Sequence, residues 1–256
     1  MTIWALSDPH LAFGVPSKTM ESFGPTWELY AEKMQKHWLD KISANDLVLI
    51  PGDISWAMHL EDALVDLRWI DALPGTKVIL RGNHDHWWGS LSKVTKALPP
   101  SIIAIQNNAF AWTSGEGKRI AIGGSRLWDT HEYSFNAFIE FRENPLARRK
   151  TLEERAQEQQ NVEKIFAREL ERLRLSLSLL DPQADVRIAM THYPPIGADL
   201  QPSRASSILE EFRVDYCVFG HLHNVRENSL SFGSARGVKY LFASCDYLGF
   251  SPIRVL

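Results

Sequence analysis

The sequence predicts a single α/β domain, and three observations support this prediction. In the first half, short apolar runs typical of buried strands alternate with segments of helical periodicity, at the spacing of βαβ units with a parallel sheet. Further strand-like runs follow a long helical segment, which predicts an antiparallel or mixed set of strands. The 256 residues would suit one large domain or two small ones, and without internal repeats or low-complexity tracts we expect one domain over 1–256.

The first half contains three predicted strands, and each ends at polar residues. These strands are Ile3 to Ser7, Leu47 to Ile50 and Lys77 to Leu80. Apolar residues at helical spacing predict a helix from about Trp27 to Ile42 with Thr26 as N-cap, and a second helix from Leu60 to Ile70. Ligands of parallel sheets bind outside the carboxyl ends of the strands, so we expect the functional residues of this half there.

The later elements are shorter, apart from one long helix. Strands are predicted at Ile102 to Ile105, Phe110 to Trp112, Arg119 to Ile122, Val186 to Thr191, Asp215 to Phe219, Val238 to Ala243 and Ile253 to Leu256. Asn107-Asn108 and Gly115 to Gly117 are predicted turns. A helical pattern over about 151–180 predicts an amphipathic helix that Pro182 ends. We expect it to pack on the sheet, with a coiled-coil contact between two copies as the alternative.

Composition and charge narrow the class of protein. The chain is 45% hydrophobic and 23% charged, as is ordinary for a globular protein, and its net charge of −3 gives no positive field for nucleic acid. No apolar stretch approaches the ~20 residues of a membrane helix, and the first strand begins almost at once. We therefore expect a cytoplasmic protein without a signal peptide. Cys217 and Cys245 lie in apolar runs and are predicted to be buried, reduced thiols.

Residues of the kinds that bind metals follow predicted strands at several places along the chain. In order, they are Asp8-Pro9-His10, Gly52-Asp53, Gly82-Asn83-His84-Asp85, Thr191-His192 and Gly220-His221-Leu222-His223. Taken singly, most of these strings are explained equally well by a turn or a core histidine. In combination, they predict that strand ends bring carboxylate, imidazole and amide groups to one site. Such groups suit two divalent metal ions, and paired metals are typical of phosphoester chemistry.

The residues divide into two possible metal shells. One can contain Asp8, His10, Asp53 and His223, and the other Asp53, Asn83, His192 and His221, with Asp53 bridging. Two divalent cations would exceed the charge of Asp8 and Asp53 by about two units, which suits a phosphate group. A water between the metals would lose a proton near neutral pH and become the nucleophile. His84 would protonate the leaving oxygen as general acid; alternatively it orients Asn83, donates to Asp85 or hydrogen-bonds another neighbour.

The ordered set of motifs resembles that of the calcineurin-like metallophosphoesterase superfamily and runs from residue 8 to residue 223. The resemblance implies a four-layer α/β/β/α sandwich of two mixed sheets. It also implies a dinuclear centre with the two ligand sets given above, commonly of manganese, iron or zinc, and we expect Mn²⁺. His84 matches the position of the general acid. The chain is similar to small bacterial predicted phosphohydrolases, so we expect a small phosphodiester or phosphomonoester substrate.

One departure separates the chain from the protein Ser/Thr phosphatase branch of that superfamily. In that branch a second Asp and an Arg follow the Gly-Asp motif, whereas Trp56 and Ala57 stand there in this chain. A carboxylate that orients His84 must therefore come from elsewhere, and Asp85 is a candidate. A nuclease and a non-catalytic scaffold are the alternative functions. The charge disfavours the first, and the retention of every motif position, His84 included, disfavours the second.

Two further features could set the substrate. Aromatic residues flank the motifs: Trp56, Trp87, Trp88, Trp128, Tyr193 and Tyr247. They either pack in the core or form a wall against a nucleobase or an aromatic leaving group. The segment 125–150 is either a lid over the site or a surface excursion, and its candidate phosphate-binding residues are Arg126, His131, Arg142, Arg148 and Arg149.

Overall fold

The structure, a computed structural model, describes residues 1–140 and 151–256. The strands in these ranges are β1 (Ile3–Ala5), β2 (Leu47–Ile50), β3 (Thr76–Leu80), β4 (Ile102–Ile105), β5 (Phe110–Thr113), β6 (Arg119–Ser125), β7 (Val186–Thr191), β8 (Tyr216–Phe219), β9 (Ser234–Ala235), β10 (Val238–Phe242) and β11 (Ile253–Arg254). The α-helices are α1 (Tyr30–Lys41), α2 (Leu60–Asp71), α3 (Leu91–Ala97), α4 (Leu152–Ser178) and α5 (Arg204–Glu211).

The strands form two mixed sheets. The first has the order β11-β1-β2-β3-β4, with β1 to β4 parallel and β11 antiparallel to β1. The second has the order β5-β6-β7-β8-β10-β9, with a parallel centre and an antiparallel strand at each edge. Asn107-Asn108 lies between β4 and β5, so this turn carries the chain from one sheet to the other.

Three apolar layers separate four layers of secondary structure. Along β2, Leu47 and Leu49 belong to the cluster between the two sheets, whereas Val48 and Ile50 face the helices that cover the first sheet. This alternation follows from the two-residue period of a strand that is buried on both faces. A third cluster lies between the second sheet and helices α4 and α5. The predicted α/β/β/α sandwich is therefore confirmed.

The long helix matches its prediction closely. Helix α4 begins with a capping box in which Thr151 and Glu154 satisfy each other's backbone N–H groups. Its buried side chains include Phe166, Leu173 and Leu177, which belong to the cluster against the second sheet. The apolar stripe of this helix is therefore covered by the chain's own sheet. None of the helices in the described residues is long and apolar enough to cross a bilayer.

Some local predictions were wrong. Thr26 is not an N-cap, because Pro25–Trp27 forms a 3₁₀ turn and α1 begins at Tyr30, after Leu29 has adopted a left-handed φ of 49°. Helices α3 and α5 were not predicted because they are too short to show a clear periodicity. Both cysteines are free and buried, as predicted.

Candidate metal centre

The predicted site residues come together where the strands of both sheets end. Asp8 joins the two sheets, since its carboxylate oxygens accept hydrogen bonds from the backbone N–H of His221 at 3.0 and 3.1 Å. Gly220 permits this approach, because a Cβ atom there would lie 2.1 Å from Asp8 Oδ2. The glycine of the Gly-His-Leu-His motif is thus explained by the close approach of a carboxylate to the backbone.

Several site residues have left-handed backbone conformations. The φ angles of Asp8, His10, Asp53 and His221 are 59°, 45°, 50° and 73°. Residues other than glycine rarely adopt this region, and such strain concentrates at functional sites where the surrounding structure enforces it. The loops that carry the site are therefore held in conformations that ordinary connecting turns do not need.

His192 directs one ring nitrogen into the site and the other away from it. Its Nδ1 lies 3.0 Å from the carbonyl oxygen of Pro51, so Nδ1 carries a hydrogen and donates it. Its Nε2 faces two oxygen acceptors, Asn83 Oδ1 at 2.6 Å and Asp53 Oδ2 at 3.4 Å. Burial alone would lower the pKa of His192, but the charge and hydrogen bond of Asp53 raise it. This pocket of acceptors therefore attracts a cation, whether a proton or a metal ion.

His223 is oriented in a comparable way by a residue that the sequence reasoning missed. Its Nδ1 lies 2.9 Å from Asp246 Oδ1, so Nδ1–H donates to this carboxylate and Nε2 faces the site. There, Nε2 lies 3.1 Å from His10 Nε2. A carboxylate behind a histidine ligand fixes its tautomer and makes it a better donor. Asp246 follows β10 as Asp8 follows β1 and Asp53 follows β2, and this repeated pattern is the signal that could have revealed it.

Asp53 lies between the two groups of histidines. Its Oδ2 is 3.6 Å from His10 Nε2 and 3.4 Å from His192 Nε2, and its Oδ1 accepts the backbone N–H of His84 at 2.8 Å. The third neighbour on this side is Asn83, whose Oδ1 also lies 3.1 Å from His221 Nδ1. One carboxylate is thus in reach of donors from both predicted shells.

Burial and neighbouring charges set different protonation states within the cluster. Burial lowers the pKa of His10 to about 3, against the attraction of Asp53. Burial would also lower the pKa of His223, but the charge and hydrogen bond of Asp246 raise it to about 9. The pKa of Asp53 lies below its ordinary value: burial opposes this, but His192 and His10 dominate. His10 is therefore neutral and Asp53 ionised at neutral pH, the forms in which both bind metals.

The donor set fits divalent cations. Ligand atoms of Asp8, His10 and His223 lie within 4.8 Å of one another, as do those of Asp8, Asp53 and His192. The second group contains Asp8 where the sequence predicts Asn83 and His221. Asp8 approaches His192 at Nδ1, at 3.7 Å, and that nitrogen already donates to Pro51. We therefore group His192 with Asp53 and Asn83, through Nε2. Imidazole, carboxylate and amide ligands suit manganese, iron or zinc alike.

Asp85 does not have the predicted role of orienting His84. Its Oδ1 accepts from the backbone N–H groups of Ile54 and Ser55 and from Trp87 Nε1, and its Oδ2 accepts from Gly82 N at 2.8 Å. These donors leave the carboxylate facing the backbone of two loops. Asp85 therefore fixes the loop after β2 against the loop after β3, and Trp87 is a core residue.

The imidazole of His84 packs against an aromatic ring. The ring centroids of His84 and Trp56 lie 4.7 Å apart, and Trp56 also stacks on His10 at 4.9 Å with an interplanar angle of 23°. Phe23, which is exposed, lies parallel to the outer face of Trp56 at 6.4 Å. Burial lowers the pKa of His84. In this chain, ring packing therefore occurs where the Ser/Thr phosphatase branch has an Asp.

The other aromatic and basic residues divide between core and cavity. Trp87 and Trp88 are buried in the helix-facing core of the first sheet. Trp128 lines a cavity beside His221, and Arg126 lies over the Trp128 ring at 4.5 Å and pairs with Glu169. Arg142, Arg148 and Arg149 lie outside the described residues. The lid therefore stays a prediction.

The fold and the site together define a class of protein: a two-sheet α/β sandwich whose strand ends carry a buried cluster of metal-ligand side chains. The chain matches the calcineurin-like phosphoesterase family over residues 1–225, and it belongs to that family. The protein is therefore a metal-dependent phosphoric ester hydrolase. The resemblance found in the sequence is confirmed.

Solved structures share this fold at low sequence identity. A phosphopantetheinyl hydrolase from Mycobacterium tuberculosis is 14% identical with a TM-score of 0.54, over 100% of this chain and 95% of that chain. A protein of unknown function from Aquifex aeolicus is 17% identical with a TM-score of 0.47, over 99% and 95%. A calcineurin-like phosphoesterase from Bacillus subtilis is 15% identical with a TM-score of 0.45, over 96% and 82%. No curated protein matches the sequence.

Proposed function

We propose that the protein is a dinuclear-metal-dependent phosphohydrolase of a small phosphodiester or phosphomonoester, with His84 as general acid. The observation that carries this proposal is the position of Asp53, whose Oδ2 lies within 3.6 Å of His10 and 3.4 Å of His192. A carboxylate between two groups of histidines is the arrangement that two neighbouring cations require. It also supports the division of the ligands that the sequence predicts.

The proposed ligands fall into two sets that share Asp53. One set is Asp8, His10, Asp53 and His223, and the other is Asp53, Asn83, His192 and His221. When bound, two divalent cations polarise phosphoryl oxygens and make water a nucleophile at neutral pH. Mn²⁺ is the metal we expect, with iron or zinc as alternatives. The chain's own contribution is to hold these side chains in fixed tautomers, as Pro51 does for His192 and Asp246 does for His223.

His84 is suited to protonate the leaving oxygen. Its backbone N–H is tied to Asp53, which keeps it beside the ligands, while its ring packs on Trp56. Because burial lowers the pKa of His84, the protonated ring gives up its proton readily. The negative charge of a bound phosphoester would favour the protonated form before the reaction. A general acid of this kind contributes about 10²–10⁴-fold to the rate.

The alternative functions have less support. The net charge of −3 offers no attraction for a nucleic acid, which weighs against a nuclease. A non-catalytic scaffold would have no need for strained ligand loops and ordered imidazole tautomers, both of which this chain retains. The cytoplasmic location stays a prediction.

The first test is hydrolysis of bis-p-nitrophenyl phosphate and p-nitrophenyl phosphate with added Mn²⁺, together with metal analysis. We expect turnover by wild type and loss of both turnover and metal in Asp53→Asn. His84→Ala should keep its metal and lose about 10²–10⁴-fold in turnover of an ester with an alkyl leaving group. His86→Ala is the matched control, since His86 is an exposed neighbouring histidine. Wild-type behaviour of both His84→Ala and Asp53→Asn would contradict the mechanism.

A further inference from the structure

A cavity of about 620 Å³ adjoins the candidate metal centre on the side of the second sheet. His221 forms part of its wall, whereas His84 and Trp56 are absent from the described residues that line it. Pockets of ~300–1,000 Å³ hold small organic ligands. The cavity therefore has room for a group much larger than a phosphate, directly beside a proposed metal ligand.

The lining of the cavity suits an uncharged group. Its wall includes apolar parts of Trp128, Phe135 and Leu222, and its exposed rim includes Asp129 and Asn136. No lysine or arginine lines it within the described part of the chain. A carboxylate at the rim repels a further phosphate, while carboxylate and amide groups can bind the N–H groups of a heterocycle.

The position of His84 shows on which side the leaving group lies. A general acid must lie within hydrogen-bond reach of the oxygen that it protonates. His84 lies among first-sheet residues, with its ring centroid 4.7 Å from Trp56 and 5.7 Å from His10. The leaving group is therefore expected beside Trp56, away from the cavity. A phosphomonoester has one organic substituent, which is the leaving group, and would leave the cavity unused.

We propose that the enzyme acts on phosphodiesters and that the cavity beside His221 binds the substituent that is not released, a neutral, ring-bearing group of nucleoside size. The proposal rests on the proposed function, because it uses His84 as the general acid. Water supplies the oxygen of the new P–O bond and releases a proton. The P–O bond to the leaving group breaks, and the leaving oxygen takes both electrons of that bond and a proton from His84. The retained substituent leaves as a phosphomonoester.

The test keeps the leaving group constant and varies the second substituent. The substrates are p-nitrophenyl phosphate, methyl p-nitrophenyl phosphate and the p-nitrophenyl ester of thymidylate, each with Mn²⁺-loaded protein. We expect kcat/KM for the thymidylate ester to exceed that for the methyl ester by about tenfold or more. A further phosphate on the thymidine should remove this advantage, because no lysine or arginine among the described lining residues would meet it.

A cavity-filling variant identifies where the preference arises. Asn136→Trp places a large ring at the exposed rim and should abolish the thymidylate preference while the methyl ester reacts as before. Ser134→Trp, at another exposed lining position, is a second such variant, and Ala137→Trp is the control, since Ala137 is exposed but does not line the cavity. Equal kcat/KM for both diesters, a preference that survives both filling variants, or a higher kcat/KM for the monoester would overturn the proposal. No turnover of any of the esters would contradict the proposed function itself.

Discussion

The two sheets contribute to the candidate site in different ways. Loops of the first sheet supply carboxylates that also bind backbone N–H groups, as Asp8 binds that of His221 and Asp53 that of His84. Loops of the second sheet supply imidazoles, and the ring of His192 is oriented by the carbonyl of Pro51, a residue of the first half. Changes in the first set should therefore affect both folding and metal binding, whereas changes in the second should mainly affect metal binding.

The largest effect on stability is expected at Asp85, which belongs to the first half but is not a proposed ligand. Asp85→Ala removes the acceptor of three backbone N–H groups, those of Ile54, Ser55 and Gly82. Each buried donor left without a partner costs ~1–3 kcal/mol, so the free energy of unfolding should fall by several kcal/mol. Urea denaturation of the metal-free protein measures this loss.

His221→Ala is the matched change in the second half. The Oδ1 atom of Asn83 keeps its contact with His192 at 2.6 Å in this variant, so no buried acceptor is left alone. We expect a smaller loss of stability than in Asp85→Ala, together with weaker metal binding. Similar losses of stability in the two variants would break the distinction between the halves.

Lys77 shows that the first sheet carries a buried charge at the other end of β3 as well. Its side chain is 0% exposed, and its Nζ donates to the carbonyl of Leu73 and to Ser101 Oγ. Burial lowers the pKa of Lys77 from 10.5 to about 8, although Asp71 opposes this shift. Between these values the unfolded chain binds more protons than the folded protein, so this residue makes stability rise with pH across that window.

The Lys77→Met variant should lack that rise. The difference between the two pH profiles of unfolding free energy is expected to reach at most ~3 kcal/mol. Urea denaturation of both proteins between pH 8 and pH 10.5 measures it, and the variant cancels the contributions of all other titrating groups. Parallel profiles would show that Lys77 titrates normally in the folded protein.

Asp246 tests whether the second half depends on its outer carboxylate. Asp246→Asn keeps an oxygen that can accept from His223 Nδ1 but removes the charge that holds the pKa of His223 near 9. Changes behind a histidine ligand typically cost ~10–100-fold in metal affinity or activity. Calorimetric titration with Mn²⁺ measures the affinity, with Asp129→Asn at the exposed cavity rim as the control. Unchanged affinity in Asp246→Asn would mean that His223 is not a ligand or needs no carboxylate.

The parts of the fold and site that follow from local patterns were predictable. A buried strand appears as a continuous apolar run, and Asp8, Asp53 and Asn83 follow such runs within a few residues. The amphipathic stripe of α4 is equally local, and its buried residues Phe166 and Leu173 lie on the predicted face. The family resemblance then implied the sandwich, which no single run of residues could have specified.

Contacts between distant segments were not predictable in the same way. The pairing of His223 with Asp246 depends on how the loops after β8 and β10 meet, and the cavity depends on the path of residues 128–139. Asp85 was assigned to His84 because they are neighbours in sequence. Its carboxylate instead binds backbone donors of the loop after β2, because buried N–H groups there lack other partners.

The smallest predicted effect concerns Trp56, which belongs to the first half and is proposed to lie beside the leaving group. Trp56→Ala removes the ring against which His84 packs at 4.7 Å, so the acid should be less well positioned. The rate should fall about tenfold for an alkyl ester and less for a p-nitrophenyl ester, whose leaving oxygen needs little protonation. Rates with both leaving groups, measured alongside metal content, separate this effect from a loss of ligands.

The control for this change is Trp56→Phe, which keeps an aromatic face toward His10 and His84 and should restore most of the rate with the alkyl ester. Trp56→Ala should change selectivity for the leaving group but not for the retained substituent, whereas Asn136→Trp should do the reverse. Such opposite effects would assign the two ends of the substrate to the two halves of the molecule. If Trp56→Ala lowered the rates of alkyl and p-nitrophenyl esters equally, Trp56 would act through the ligand His10 rather than through His84.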